Sequence, residues 1–180
     1  MRGNVEVITG PMFSGKTTEL LRRLTQAAHQ GHRVACFAPA LDTRPPGPLL
    51  QTHDGSTYPA TVLPRAEDIP RHCDGASVIG VDEAQFWDDG ILGVVHALAD
   101  RGKRVIVAGL DMDSSRCPFG PMVWLLAIAE HVQKRAACCA VCGASATYSK
   151  RKADISGQIV IGGAALYEPR CRCCWEVTRE

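Results

Sequence analysis

The sequence carries almost no net charge and has no long hydrophobic run. Among its 180 residues, 20 Lys and Arg oppose 19 Asp and Glu, which leaves a formal charge of +1. A near-neutral chain has no bulk attraction to nucleic acid or to an acidic membrane surface. The longest apolar run, from Met122 to Ala129, is too short to span a bilayer. These absences argue against a membrane-spanning protein and against nonspecific binding to nucleic acid.

The N-terminus also lacks the features of a secretory leader. Met1, Arg2 and Gly3 precede a short β-like stretch rather than an apolar segment of about 7–15 residues. We therefore expect a cytoplasmic protein, in which structural disulfides are uncommon, so the nine cysteines require another explanation. Internal repeats and low-complexity tracts are absent as well.

A phosphate-binding loop is the most informative motif near the N-terminus. Residues 10–17 have the pattern G-x-x-x-x-G-K-T, in which the glycines let backbone N–H groups turn inward toward an anion. Lys16 can reach the β- and γ-phosphates of a nucleotide, and the Thr17 hydroxyl can bind Mg²⁺. β-Branched residues precede the loop and apolar residues at helical spacing follow it. The predicted phosphate-binding residues are Gly10, Pro11, Met12, Phe13, Ser14, Gly15, Lys16 and Thr17.

Strand-like and helix-like segments alternate along residues 1–136, which predicts an α/β fold with a parallel sheet. The predicted strands are 5–9, 33–38, 77–83 and 104–109, and the predicted helices are 16–30, 88–101 and 119–132. Residues 39–70 are rich in proline and show little periodicity, so we expect a long irregular loop there. Beyond residue 136, short β-like pieces at 146–150 and 158–161 lie between two groups of cysteines. We predict a nucleotide-binding core at 1–136 and a small domain at 137–180.

Two adjacent carboxylates, Asp82 and Glu83, end the predicted strand at 77–83. In P-loop proteins an aspartate at this point holds Mg²⁺, and Asp82 is the better candidate because it continues the strand direction. Glu83 would then be free to act as a base on the group that attacks the γ-phosphate. If that group is water, the protein is an ATPase or GTPase; if it is a bound hydroxyl, the protein is a kinase. A simpler alternative treats both carboxylates as acids at a helix N-terminus.

Two cysteine pairs near the C-terminus predict a structural zinc site. They are C-x-x-C motifs formed by Cys139, Cys142, Cys171 and Cys174. Four thiolates make a closed site that has no open position for catalysis, and such a metal would stabilise a tail too short to build its own core. Cys138 and Cys173 fall outside the spacing, and redox-active or unpaired cysteines are the alternative. We expect residues 148–151 to form a hairpin with residues 158–163 that covers a ligand.

Together these motifs resemble the type II thymidine kinase family, the cytosolic zinc-containing deoxynucleoside kinases. The matching stretches follow the family order over nearly the whole chain and are 10–17, 42–44, 52–54, 82–86, 109–111, 118–120, 148–151, 161–163 and the two cysteine pairs. The resemblance implies a RecA-like P-loop core, a zinc-stapled lasso domain and usually a homotetramer. It also implies transfer of the γ-phosphate of ATP to the 5′-hydroxyl of thymidine, with deoxyuridine as a further acceptor, to give dTMP in pyrimidine salvage.

The resemblance also implies roles for individual residues. Glu83 would be the base for the 5′-hydroxyl, while Asp82 and Thr17 would serve Mg²⁺. The ATP and Mg²⁺ site would further include Asp42, Arg44 and Gln85. The nucleoside site would comprise Met12, Phe86, Leu110, Ser114, Ser149, Gln158, Ile159, Val160, Ile161, Gly162 and Tyr167.

One position departs from the family pattern. After Asp111, Met112 and Asp113 the family commonly has an aromatic residue that packs on the thymine, whereas this chain has Ser114. By analogy with base–aromatic contacts, the missing ring removes a stacking surface of about 1–3 kcal/mol. Weaker base binding, an altered base preference and compensation by another ring, such as Trp87, are the alternatives.

Two other functions stay open beside the nucleoside kinase. One is a P-loop ATPase in which Glu83 activates water. The other is a non-enzymatic zinc module that binds nucleic acid and retains a vestigial P-loop. The near-neutral charge and the lack of a Lys/Arg-rich zinc hairpin count against the second of these.

Overall fold

The computed structural model describes residues 3–43, 49–51, 55, 57–152 and 157–176. The strands of the first part of the chain are β1 (Asn4–Thr9), β2 (Val34–Pro39), β3 (Leu49–Gln51), β4 (Thr57–Pro59), β5 (Thr61–Leu63), β6 (Val78–Val81), β7 (Arg104–Gly109) and β8 (His131–Lys134). The α-helices are α1 (Lys16–His29), α2 (Gly90–Asp100) and α3 (Met122–Ile128), and 3₁₀ helices cover Ala66–His72 and Ala84–Phe86. None of the helices in the described part of the chain has the length and apolarity that a membrane crossing requires.

A parallel sheet of six strands forms the core, in the order β5-β2-β6-β7-β1-β8. Every pairing between neighbouring strands of this sheet is parallel. The α/β prediction is therefore confirmed. Because the strands run the same way, their carboxyl ends meet at one edge, where ligands of such sheets bind. β7 lies between the P-loop strand β1 and the strand β6 that leads to Asp82 and Glu83.

Apolar side chains are buried on both faces of the sheet. In β7, Val107 belongs to the core cluster that includes Ile91 of α2, whereas its neighbour Ile106 belongs to the cluster that includes Leu20 of α1. Successive residues of a strand point to opposite faces, so a wholly apolar strand serves two cores at once. Each of these four side chains is fully buried, which stabilises the fold by about 1.5–3 kcal/mol per side chain.

Helix α1 has an apolar stripe at helical spacing and ends in a glycine cap. Its buried apolar residues are Leu20, Leu21, Leu24 and Ala27. Gly31 has a φ of 86°, a left-handed conformation that favours glycine. The Gly31 N–H donates to the Ala28 carbonyl at 3.0 Å, and the His32 N–H donates to the Ala27 carbonyl at 3.1 Å. These two bonds form a Schellman motif, which satisfies carbonyls at the helix end.

The predicted irregular loop at residues 39–70 is wrong in part. β3 and β4 form an antiparallel hairpin, and β5 joins the main sheet as an edge strand beside β2. Strands of three residues are too short for their periodicity to be recognised, and prolines surround them. Residues 44–48, 52–54 and 56 lie outside the described residues.

The predicted helix at 119–132 is too long. α3 ends at Ile128, and the chain then turns so that the Glu130 carboxylate accepts the N–H of Val5 at 2.6 Å. Residues His131–Lys134 form β8, the edge strand next to β1. All four residues of β8 are exposed, so the strand lacks the alternation of apolar and polar residues that identifies a half-buried strand.

Four short strands form the C-terminal part, β9 (Ala137–Cys138), β10 (Ser145–Ala146), β11 (Tyr148–Arg151) and β12 (Tyr167–Arg170). The expected hairpin partner is wrong, because β11 pairs antiparallel with β12 and residues 158–163 form the connecting loop instead. Four of the buried residues form the small core of this part, namely Cys139, Ala146, Cys171 and Cys174. Three of the four residues in this small core are therefore cysteines. The domain boundary at residue 136 stays a prediction.

Candidate active site

A cleft of about 680 Å³ opens beside the carboxyl edge of the sheet. The loops that follow β1, β2, β6 and β7 all reach it, and the C-terminal part closes its other side. The predicted site residues that line it are Met12, Phe13, Gly15, Lys16, Thr17, Asp42, Asp82, Glu83, Gln85, Phe86, Leu110, Ser114, Ser149, Gln158, Val160, Ile161, Gly162 and Tyr167. Residues predicted from four loops of the core and from the C-terminal part therefore meet in one cavity.

Other predicted residues do not line this cavity. Gly10, Pro11 and Ser14 belong to the loop whose other residues do. Ile159 is 48% exposed and lies outside the lining, unlike its neighbour Val160. Arg44 lies outside the described residues, as does the polar stretch at 52–54.

The P-loop is shaped by two glycines and by Arg135, which follows the neighbouring edge strand β8. Gly10 has a φ of 134°, and a Cβ there would approach the Arg135 carbonyl oxygen to 2.3 Å. Gly15 has a φ of 74° and caps the start of α1. The Arg135 Nε–H donates to the Ser14 carbonyl at 2.7 Å, which holds the loop against the end of β8. Helix α1 therefore begins at the cleft, where its unpaired N–H groups favour an anion.

The polar side chains of the loop make local hydrogen bonds, and Thr17 reaches the Asp82 carboxylate. Lys16 Nζ donates to the Pro11 carbonyl at 2.8 Å, and the Ser14 hydroxyl donates to the same carbonyl at 2.8 Å. The Thr17 hydroxyl donates to Asp82 Oδ2 at 3.0 Å, although β7 separates their two strands. A hydroxyl and a carboxylate at this distance are an oxygen-rich pair of the kind that Mg²⁺ prefers.

Burial raises the pKa of Asp82 to about 7, and the neighbouring charge of Glu83 adds to this shift. The Thr17 hydrogen bond and the positive charge of Lys16 act in the opposite direction. A bound cation would favour the charged carboxylate in the same way that Lys16 does. The environment of Asp82 therefore suits a residue whose charge is balanced by a ligand.

Glu83 is turned away from the strand direction by its backbone. Its φ of 48° and ψ of 47° are left-handed, which is uncommon for a residue other than glycine. The Gln85 amide donates to Glu83 Oε2 at 2.5 Å, and the Gln85 amide oxygen accepts the Leu110 N–H at 2.9 Å. Gln85, predicted for the ATP and Mg²⁺ site, thus holds the Glu83 carboxylate and links it to the end of β7.

An aromatic pair lies in the same cleft as Glu83. The rings of Phe86 and Phe119 meet edge to face, with centroids 5.7 Å apart and an interplanar angle of 88°. Both line the cleft, together with the apolar side chains of Leu110 and Met112. Trp87 is not available as a stacking ring, because it is 4% exposed and its indole N–H donates to the Asp82 carbonyl at 3.1 Å. Trp87 also lies outside the cleft lining, so compensation by Trp87 is not supported, whereas Phe119 is a second aromatic ring in the cleft.

Two hydrogen bonds attach the C-terminal part to the core beside the cleft, and a third holds its connecting loop. Ser149 Oγ accepts the Met12 N–H at 2.9 Å, which joins β11 to the P-loop. The Gln158 amide donates to Asp113 Oδ2 at 2.8 Å. Within the connecting loop, the Tyr167 hydroxyl donates to the Val160 carbonyl at 2.6 Å. These contacts fix the backbone of the loop at the mouth of the cavity.

Several lining residues were missed by sequence reasoning. They are Thr18, Leu50, Gly55, Met112, Asp113, Phe119 and Gly163. Phe119 had a signal, because Pro118-Phe119-Gly120 is one of the stretches that resemble the family. Leu50 had none, because it reaches the cleft from a strand that periodicity does not reveal.

The four predicted cysteine ligands are brought together at the base of the C-terminal part. The Sγ atoms of Cys139, Cys142, Cys171 and Cys174 all lie within 4.8 Å of one another. The Sγ atoms of Cys142 and Cys171 are 3.6 Å apart. Tetrahedral zinc with bonds of about 2.3 Å requires sulfurs about 3.8 Å apart, so this donor set fits a structural zinc ion. Cys138 and Cys173 are exposed and stand outside the cluster.

Comparison with known proteins agrees with this arrangement over nearly the full chain. The family model described as thymidine kinase matches residues 3–175. A thymidine kinase of Rhodothermus sp. is 47% identical over 98% of this chain and 83% of the relative. A thymidine kinase of Bacteroides fragilis is 45% identical over 97% of this chain and 88% of the relative.

Among solved structures, domain III of the Thermotoga maritima replication initiation protein DnaA aligns with a TM-score of 0.46. It is 14% identical and covers 74% of this chain and 55% of that chain, and nothing about this chain follows from so low a similarity. In contrast, the family model and the relatives match nearly the whole chain and establish its family. This chain belongs to the thymidine kinase family.

Proposed function

We propose that this protein transfers the γ-phosphate of ATP to the 5′-hydroxyl of thymidine, with deoxyuridine as a second acceptor. The observation that carries the proposal is the position of Glu83 in one continuous cleft. That cleft is lined by the phosphate-loop residues Lys16 and Thr17 and also by the apolar residues Phe86 and Leu110. A base that faces both a triphosphate site and a pocket for a planar ring is the arrangement that a nucleoside kinase needs.

The P-loop would hold the donor. The backbone N–H groups at the start of α1 would bind the β- and γ-phosphates, and Lys16 would exchange its bond to Pro11 for a phosphate oxygen. The loop after β2 would contribute Asp42, which lines the same cleft. Arg44 is part of this proposal through the family resemblance. These groups position the triphosphate rather than react with it.

Thr17 and Asp82 would hold the Mg²⁺ that accompanies ATP. Their oxygens are 3.0 Å apart at the phosphate end of the cleft. When bound, the ion would neutralise charge on the β- and γ-phosphates.

Glu83 would take the proton of the 5′-hydroxyl. As the nucleoside oxygen forms its bond to the γ-phosphorus, the bond from that phosphorus to the β-phosphate oxygen breaks and ADP leaves with the electron pair. The hydroxyl proton passes to the Glu83 carboxylate. Gln85 keeps that carboxylate in place, since it donates to one oxygen at 2.5 Å.

The nucleoside would lie between the aromatic pair and the connecting loop of the C-terminal part. Phe86, Leu110 and Tyr167 would form apolar walls, and backbone groups of residues 158–162 would hydrogen-bond the edge of the base. Fixed backbone donors and acceptors discriminate well between base edges, because a mismatched base leaves them unpaired. A pocket closed over the 5-methyl group would exclude larger purines.

The proposal includes a structural Zn²⁺ held by the four clustered cysteines, a homotetramer and a cytoplasmic location. All nine cysteines are free of disulfides, which suits a reducing compartment and supports the location. Exposed apolar residues, Val123 and Trp124 of α3 and Val132 of the edge strand β8, support self-association, because burying them in an interface would remove apolar surface from water. The mass of the particle in solution, measured by light scattering, tests the tetramer.

The decisive experiment incubates the purified protein with Mg-ATP, with and without a panel of deoxynucleosides. We expect ADP and dTMP to form in equal amounts with thymidine, and little ADP to form without a nucleoside. Equal ADP production in both arms would identify a P-loop ATPase in which Glu83 activates water. No ADP in any arm, with retention on immobilised DNA or RNA, would identify a nucleic-acid-binding zinc module instead.

A further inference from the structure

The acceptor loop, defined as residues 110–118, forms one wall of the cleft and is anchored from outside it. Leu110, Met112, Asp113 and Ser114 line the cavity. Arg116 is in the same loop but does not line the cavity, and its side chain is 38% exposed. Nothing in the proposed chemistry uses Arg116, so its contacts require a separate explanation.

The backbone of the loop fixes where Arg116 lies relative to Asp113. The Arg116 N–H donates to the Asp113 carbonyl at 3.1 Å, and the Asp113 N–H donates to the Cys117 carbonyl at 2.9 Å. The Asp113 carboxylate accepts the N–H groups of Ser115 at 2.8 Å and of Cys117 at 2.9 Å. Arg116 has a φ of 65°, a strained conformation that persists only where its surroundings impose it. Any movement of Arg116 is therefore transmitted to Asp113.

The Arg116 guanidinium lies against two aromatic rings of the C-terminal part. Its carbon is 4.9 Å from the centroid of Trp175 and 5.6 Å from the centroid of Tyr148. The two rings meet edge to face at 5.5 Å. Guanidinium groups within about 6 Å of a ring centroid make favourable cation–π contacts. One side chain of the core is thereby bound to the two rings of the C-terminal part.

Both rings stand next to residues with a proposed role. Tyr148 immediately precedes Ser149, whose hydroxyl accepts the Met12 N–H. Trp175 immediately follows Cys174, a member of the cysteine cluster. The Trp175 carbonyl accepts a hydrogen bond from Lys150, which also ties the ring's backbone to β11.

We propose that Arg116 is a positioning residue for the nucleoside. Its contact with Tyr148 and Trp175 holds the acceptor loop against the C-terminal part, so that the Asp113–Ser114 wall keeps its place in the cleft. This inference rests on the proposed function, since it assigns the wall to the acceptor nucleoside. The Asp113–Gln158 hydrogen bond is a second tie between the same two parts.

Loss of Arg116 should weaken binding of the acceptor nucleoside and should leave ATP binding and the chemical step nearly unchanged. Glu83 is held by Gln85, which contacts the acceptor loop at its first residue, Leu110, next to the end of β7, and the P-loop is held by Arg135. Loosening of residues 113–117 should therefore leave both in place. An exposed cation–π contact contributes about a factor of two to five in an equilibrium constant. With two rings involved, loss of the guanidinium should raise the KM for thymidine by about three- to tenfold.

The test compares Arg116→Ala with Arg116→Lys and with the matched control Arg172→Ala. Arg172 also lies over Tyr148, at 5.3 Å, but it belongs to the C-terminal part itself. Its removal therefore deletes a cation–π contact without releasing the acceptor loop. Lysine at position 116 keeps the positive charge, so the KM for thymidine should rise less in this variant than in Arg116→Ala. The ion pair of Arg116 with Glu176 is 4.0 Å long and its carboxylate is 87% exposed, so its loss should contribute little.

Two measurements are made on the full-length variants. Steady-state kinetics give the KM for thymidine, the KM for ATP and kcat. Hydrogen exchange follows the amides of Ser115 and Cys117, which are protected by the Asp113 carboxylate. In Arg116→Ala we expect faster exchange at both amides and a raised KM for thymidine, with kcat and the KM for ATP changed by less than about twofold.

The inference is overturned if Arg116→Ala leaves both the exchange and the KM for thymidine unchanged. It is also overturned if Arg172→Ala has the same effect, because the loop would then respond to any loss of charge near Tyr148. Failure of the proposed function is distinguishable, since it appears as absence of thymidine phosphorylation in the wild-type protein. The exchange experiment would still decide whether Arg116 anchors the loop.

Discussion

The backbone N–H of Met12 donates a hydrogen bond to Ser149 Oγ at 2.9 Å, across 137 positions of the chain. Met12 is an unconstrained position of the phosphate-loop pattern, and Ser149 is a 5% exposed residue of β11. Both residues line the cleft. The loop proposed to hold the donor phosphates is thus bonded directly to the part proposed to cover the nucleoside.

Replacement of Ser149 by Ala should loosen the attachment of the C-terminal part to the P-loop. The Met12 N–H would lose its acceptor, and a partly buried unpaired donor costs about 1 kcal/mol. We expect a lower melting temperature and a several-fold lower kcat/KM for thymidine. Ser149→Thr retains the hydroxyl and is the control. Equal behaviour of the Ala and Thr variants would mean that the hydrogen bond contributes nothing to the coupling.

Glu83→Gln separates the chemical step from nucleotide binding. The amide keeps the shape of the side chain but cannot accept the 5′-hydroxyl proton, so the transfer rate should fall by about 10²- to 10⁴-fold. ATP affinity, measured by equilibrium titration, should change by less than about threefold, because Lys16 and the P-loop are untouched. A parallel loss of ATP binding and transfer would assign Glu83 a structural role.

Metal analysis with two cysteine variants tests the zinc site. The wild-type protein should contain about one Zn per chain, bound by the four sulfurs that lie within 4.8 Å of one another. Cys139→Ser removes one of these ligands and should lose the metal and lower the thermal stability. Cys138→Ser is the matched control, because its thiol is exposed and donates to the Gly143 carbonyl. Retention of zinc in Cys139→Ser, or its loss in Cys138→Ser, would contradict the assignment.

The phosphate end of the site could be predicted from the sequence because its motif is local. Gly10, Gly15 and Lys16 act through a continuous stretch whose spacing is set by backbone geometry. Asp82 and Glu83 were recognisable because an apolar strand ends at them, and the structure brings Asp82 to 3.0 Å from Thr17. Site residues that lie close together in sequence can therefore be recognised from their spacing.

The nucleoside end could be predicted only in part, because it is assembled from distant side chains. Periodicity cannot show that Phe119 packs edge to face on Phe86, or that Leu50 reaches the cleft from a three-residue strand. The pairing of β11 with Tyr167–Arg170, rather than with residues 158–163, depends on contacts across the connecting loop. Trp87 was misassigned because an aromatic residue next to a motif can equally well belong to the core.

Lowering the pH should remove the stability that the charged Glu19 carboxylate contributes to α1. The guanidinium groups of Arg22 and then Arg23 hydrogen-bond this carboxylate and lower its pKa from 4.5 to about 2. Because the pKa is lowered in the folded state, the charged form stabilises the fold above about pH 4.5. That contribution is lost as the pH falls from there toward about 2.

Thermal unfolding of the wild-type protein and of Glu19→Gln between about pH 7 and about pH 2 measures this contribution. The difference in melting temperature between the two proteins should shrink as the pH drops. Glu67→Gln is the control, because Glu67 and its partner Arg65 are both more than half exposed and such pairs contribute little. A difference that stays constant with pH would show that the Glu19 charge is not the cause.

Ser114→Phe tests whether the acceptor pocket of this chain lacks a stacking surface. Ser114 lines the cleft on the acceptor loop, where the family commonly has an aromatic residue. A new ring at this position should lower the KM for thymidine, by an amount bounded by the roughly 1–3 kcal/mol of a base–aromatic stack. Ser115→Phe is the matched control, since its side chain is exposed and does not line the cleft. If Ser114→Phe leaves the KM unchanged, Phe119 already supplies the stacking surface through its contact with Phe86; if the KM rises, the pocket accommodates the base in the space that serine leaves open.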